Sequence, residues 1–129
     1  MKAKREHRVP LSRQAVELLR VQEARREELV EHVFPSNRKG PLSDMAFTTL
    51  MRRHKLGAVP HGFRSTFRDW AGEMTHHPRD AVELCLAHTI DTKTEAAYRR
   101  GDMLDKRAVI VQAWANYCTS GIDKRLQSV

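Results

Sequence analysis

Cysteine is nearly missing from this chain: Cys85 and Cys118 are the two in 129 residues. Neither stands at a metal-ligand spacing, which excludes a disulfide scaffold or a cysteine-rich zinc module. Cys85 lies inside the apolar run "AVELCLA" and reads as buried packing in a reducing compartment. Aromatic residues make up 6% of the chain, mostly at helix-core spacing, so stacking of single-stranded bases is not the expected mode. No apolar run approaches the length that a membrane span requires. The opening "MKAKREHR" is basic but leads into no apolar segment, so no secretory signal is expected. Repeats, low-complexity tracts and interdomain linkers are also missing. These absences leave a single domain, expected to be cytoplasmic.

Positive charge, by contrast, is in excess. Twenty-three Lys and Arg against 16 Asp and Glu give a formal net charge of +7. A domain of this kind suits the phosphates of a duplex, although charge alone is equally compatible with plain solubility.

The pattern of elements is mainly helical, with a fragment of a small sheet at the N-terminus. "KREHRVPLS" reads as the outgoing strand of a β-hairpin that Pro10 ends, and a lone hairpin strand needs a partner. Ser12 is placed to cap a helix through residues 13–30, with Ala15, Leu18 and Leu19 on its apolar side. "EHVFPSNRKGPLS" is a short apolar piece and a loop. Ser43 is placed to cap a second helix over 44–54, which Gly57 and Pro60 separate from a third. Pro78 precedes a short helix over 79–88, and a helical turn is expected around "TEAAYRR". The last helix covers 104–118, with Leu104, Ala108, Val111 and Trp114 on one stripe and Gly121 at its end. The tail "DKRLQSV" should fray.

The third helix raises a chemical question. In "VPHGFRSTFRDWAGE" the apolar residues Phe63, Phe67, Trp70 and Met74 recur at helical spacing. At roughly 100° per residue they lie away from a basic strip of His61, Arg64 and Arg68. A guanidinium one turn from an imidazole suits a phosphate, because Arg offers a planar fork of donors and His can exchange a proton. Taken alone, the pair fits a solvated helix face at least as well. His88 ends the run "VELCLA", and alone it reads as an ordinary histidine. Tyr98, in "EAAYRRGD", has small neighbours on one side and two arginines on the other, which favours phenolate below the usual value of about 10. An isolated tyrosine is nevertheless most often a packing residue. His76 and His77 are adjacent and have no third ligand near in sequence, so no metal is expected.

In chain order these residues say more. Lys2 eight positions before Pro10, then "HGFR", "LAH" and "AAYRRGD", resemble the catalytic region of the tyrosine recombinases. The likeness is nearest to integrases of prophages and genomic islands and runs from "MKAKREHRVPLS" to "AWANYC". The resemblance implies a helical catalytic domain with a small N-terminal β-hairpin, and site-specific recombination of double-stranded DNA without cofactor or metal. It implies that Tyr98 attacks a scissile phosphate to give a 3′-phosphotyrosine and a free 5′-hydroxyl. Arg64 would bind the non-bridging oxygens, His61 would accept a proton near the tyrosine, His88 would hydrogen-bond the phosphate and Lys2 would protonate the leaving oxygen. Lys4, Arg5, Arg8, Arg68 and Arg99 would make further DNA contacts.

The same resemblance sets expectations about extent. Family members carry another arginine on a helix upstream of the lysine hairpin, preceded by DNA-binding domains. Residues 1–129 are therefore expected to be the C-terminal part of an integrase catalytic domain, not efficient at recombination alone. A bare apolar face should favour self-association. Partners implied are duplex DNA and other integrase protomers in a tetramer, with no membrane and no small-molecule substrate. The competing expectation is a truncated integrase that binds DNA or joins protomers without chemistry. A helix-turn-helix regulator fits poorly, because the linker in the 43–70 region is long and contains a proline.

Overall fold

The computed structural model describes residues 6–88 and 101–120. It contains helices α1 (Arg13–Ala24), α2 (Ala46–Arg53), α3 (Gly62–Met74), α4 (Arg79–Cys85) and α5 (Leu104–Thr119). The architecture is mainly α, and no strand occurs among the described residues. Within the stretch expected to form a strand, residues 6–12 are irregular, since no second strand among the described residues is there to complete a ladder. The helical turn expected around "TEAAYRR", the stop at Gly121 and the fraying tail lie outside the described residues.

The described chain forms two compact units, residues 14–66 and residues 6–13 with 67–88 and 101–120. The core of the latter joins Phe67, Trp70 and Ala71 of α3 to Ala81 and Val82 of α4, Leu86 and Ile110 of α5. Cys85, Met103, Ala113 and Trp114 pack at its edge. Trp114 meets Phe67 edge-on at 5.5 Å and Trp70 at 5.0 Å between ring centroids. Such tilted and edge-on contacts place the positive rim of one ring near the negative face of another.

Periodicity located the helices better than their buried faces. On α3 the stripe is half enclosed: Phe67 and Trp70 are buried, while Phe63 and Met74 at the helix ends are exposed. Burial is confined to the turns that other core elements cover. On α5 the enclosed residues are Arg107 and Ile110, one position round from the expected stripe. A charged residue counts as polar in any periodic reading, so a buried arginine rotates the apparent face.

Helix ends also moved. α1 stops at Ala24, not residue 30, because "RREE" offers no apolar position that could anchor further turns. Arg25 and Arg26 N–H groups instead donate to the carbonyls of Gln22 and Glu23, and Leu29 takes a left-handed backbone. α2 starts at Ala46, whose N–H is accepted by the carbonyl of Ser43 at 2.9 Å. The left-handed residue after α2 is Lys55, whereas Gly57 shows no positive φ. α4 ends at Cys85, and Ala87 turns left-handed with φ 55°, which takes His88 off the helix.

Candidate functional site

His61 is not on the face of α3 but in the turn that feeds it. The N–H of Gly62 donates to the Val59 carbonyl at 2.9 Å, and that of Arg64 donates to the His61 carbonyl at 3.1 Å. His61 is exposed and Arg64 is half-buried in the first turn of α3. A cavity of about 350 Å³ beside this turn is lined mainly by Leu56, Val59, Gly62 and Phe63. A larger one of about 640 Å³, between α1 and the 25–39 loop, includes none of the residues expected to act on DNA.

The second cluster is built on α4. Ala81, Val82 and Leu86 pull this short helix into the core, and Glu83 is drawn in with them, its side chain 9% exposed. His88 comes back to it. The left-handed Ala87 reverses the chain, so the His88 N–H donates to the Glu83 carbonyl at 3.0 Å. The His88 ring then sets Nδ1 2.6 Å from Glu83 Oε2. From α3, Arg68 brings Nε to 2.9 Å from Oε1. That contact is an ion pair off the line of a hydrogen bond, and Oε1 has no hydrogen-bond partner among the described residues. The hydrogen bond from His88 holds the Glu83 carboxyl below its ordinary range, against the opposing effect of burial and with help from the Arg68 charge. Glu83 is therefore a buried carboxylate in its ionised form.

A third cluster ties the N-terminal stretch to α5. Arg8 grips Asp102 with a two-point fork, Nε to Oδ2 and Nη2 to Oδ1, each at 3.0 Å. Asp102 Oδ1 also accepts the Leu104 N–H at 3.2 Å, at the start of α5. Arg107, 1% exposed, donates from Nη2 to the Arg8 carbonyl at 2.7 Å and from Nη1 to the Asp102 carbonyl at 3.4 Å. Partial desolvation pushes the Asp102 carboxyl up, but the hydrogen bond and charge of Arg8 outweigh it and leave the group below its usual range. Desolvation likewise raises the Cys85 thiol, the effect opposed by Arg107.

Of the residues singled out from sequence, the structure thus joins His88 and Arg68, through Glu83. His61 and Arg64 flank the start of α3, and Arg8 is engaged by Asp102. Tyr98, Lys2, Lys4, Arg5 and Arg99 lie outside the described residues. Among the described residues no group of three His, Cys, Asp or Glu could hold a metal ion. No helix among them is long and apolar enough to cross a membrane. Glu83, Asp102 and Arg107 were missed. A carboxylate inside "AVELCLAH" was a signal for Glu83, and an aspartate ahead of the last helix was one for Asp102. Nothing in the sequence marked Arg107.

Comparison with known proteins extends the picture. The profile of the phage integrase family matches residues 1–104. The chain belongs to that family, the tyrosine recombinases. It is 37% identical over 119 residues to prophage integrase IntZ of Escherichia coli, covering 90% of this chain and 29% of that protein. Prophage integrase IntS of the same species is 30% identical over 127 residues, covering 95% and 33%. The integrase of Shigella phage Sf6 is 31% identical over 121 residues, covering 91% and 31%. The chain spans about a third of the length of these relatives. No solved structure matches it.

Proposed function

We propose that this chain takes part in site-specific DNA recombination, with Tyr98 as the nucleophile. The observation that carries the reading is the fixed His88 ring, locked through main chain and side chain to a buried carboxylate in the segment just before Tyr98. A histidine held this firmly at the end of a helix suits a defined hydrogen bond to a phosphate better than a solvated surface does.

In the reaction the Tyr98 phenolic oxygen attacks phosphorus as its proton passes to His61. The bond from phosphorus to the 5′-oxygen breaks, and Lys2 supplies the proton that leaves with the 5′-hydroxyl. Arg64 and His88 donate to the non-bridging oxygens, where negative charge builds in the transition state. The 3′-phosphotyrosyl bond keeps the energy of the original linkage, so a second 5′-hydroxyl can reverse the step with no metal or nucleotide. On this reading the chain is the C-terminal part of an integrase catalytic domain, acting in the cytoplasm with further protomers on duplex DNA.

The test uses suicide duplexes bearing the attachment site and a full-length relative whose own nucleophile has been replaced by phenylalanine. Adding this chain should give a protein–DNA adduct that survives denaturation, and Tyr98→Phe should abolish it. Adduct that persists with Tyr98→Phe would overturn the reading.

A further inference from the structure

Burying an ionised carboxylate costs several kcal/mol unless it is paired, and Glu83 sits where an apolar residue would pack at no such cost. Its neighbours along α4, Ala81 and Val82, are small and apolar, and Leu86 closes the turn below. Along α4 the carboxylate meets the charge of Arg79, but its close side-chain contacts go to His88 and to Arg68 of α3. What it does is grip one histidine twice. The Glu83 carbonyl takes the His88 main-chain N–H at 3.0 Å, while its Oε2 meets Nδ1 at 2.6 Å.

We infer that Glu83 is a positioning residue for His88, selecting which ring nitrogen is presented to a DNA phosphate. The inference rests on the reading of His88 as a phosphate contact. An ionised carboxylate is only an acceptor, so Nδ1 must carry a proton and donate it. Nε2 is then the nitrogen assigned to the phosphate, which it serves as donor when the ring carries both protons, since a phosphodiester oxygen has no proton to give. Arg68 makes the arrangement tolerable beside DNA, because its guanidinium offsets the Glu83 charge at 2.9 Å. The contact of Arg68 with Glu83 also gives that arginine a second task, orienting a carboxylate, besides any contact with DNA.

With the Glu83 carboxylate opposite it Nδ1 must donate, whereas without that carboxylate the ring is free to take its ordinary tautomer. The test therefore reads the tautomer itself. The full chain is prepared with ¹⁵N-labelled histidine, and long-range ¹⁵N–¹H spectra are recorded above the titration range of the ring. Wild type should show His88 with its proton on Nδ1. Glu83→Leu, which keeps an apolar surface against the core, should move the proton to Nε2, the form a free imidazole prefers. Glu83→Asp should retain Nδ1–H in part. Wild type with Nε2–H, or a leucine variant that keeps Nδ1–H, would overturn the inference.

The adduct assay supplies the functional arm. Glu83→Leu should slow adduct formation on the order of 10–100-fold, the range seen for outer groups that orient a working imidazole. An unchanged rate in a folded leucine variant would refute the positioning role yet leave the recombinase reading intact. Adduct that survives Tyr98→Phe would refute that reading, while the tautomer result would stand on its own.

Discussion

Arg107 Nη2 lies 2.7 Å from the carbonyl oxygen of Arg8, 99 residues earlier in the chain. The donor is a fully enclosed side chain on α5, and the acceptor belongs to an irregular stretch with no ladder of its own. Stability of the N-terminal stretch therefore depends on a helix near the other end of the sequence. Arg107→Met should lower the unfolding free energy by about 1–3 kcal/mol, the cost of leaving a hydrogen-bonded group unsatisfied. Arg8→Ala should cost less than about 1 kcal/mol, because its fork on Asp102 is largely exposed. Urea denaturation of both variants checks the order, and an Arg107 variant as stable as wild type would show that the buried contact contributes nothing net.

Glu83 makes the fold sensitive to acid in a definite direction. Its carboxyl is held below the ordinary range in the folded chain, chiefly by His88 and against the opposing effect of burial. Its stabilisation is therefore complete above the unfolded-state value of about 4.3 and is lost as pH falls through the lower folded value. Glu83→Gln should flatten that part of the stability curve below pH 4.3. Chemical denaturation of both proteins across the acid range measures it, and parallel curves would refute the assignment.

Ile110 is 0% exposed and lies in the core formed by α3, α4 and α5. Ile110→Ala should cost about 2–5 kcal/mol through lost burial and the cavity left behind. Val109→Ala, on the exposed side of the same helix, should change stability by less than about 0.5 kcal/mol. Equal effects in thermal unfolding would mean that the face of α5 has been misassigned.

Ala87 holds a left-handed backbone with φ 55°, a conformation that penalises a Cβ. Ala87→Gly removes that penalty and adds some chain entropy to the unfolded state, so the net gain should be up to about 1 kcal/mol. A rise in Tm is expected. A fall would mean that the turn before His88 is held without strain.

How far the sequence revealed the structure depended on where the deciding contacts lay. Helices α2, α3 and α5 were legible because their apolar residues repeat at helical spacing within the segment itself. The ends of α1 and α4 were not: α1 stops where "RREE" offers no apolar anchor, and α4 stops ahead of the left-handed Ala87, where no glycine announces the turn. Motif order picked out His61, Arg64 and His88, whereas their surroundings needed three dimensions. Glu83 stands in an apolar helical run with nothing local to name its partner, and only the return of the chain at Ala87 makes it the partner of His88. Arg107 had no local signal, since its acceptors are 5 and 99 residues away.

The ring cluster gives the molecule a private spectroscopic window. Both tryptophans, Trp70 and Trp114, stand 5.0 Å apart at the junction of α3 and α5, with Tyr117 within 5.8 Å of each. Red-edge emission and near-ultraviolet dichroism therefore come from one spot, in the unit that holds His88. Any melting of residues 14–66 on their own would pass without an indole signal, so optical and backbone-amide probes would diverge if the two units unfold separately.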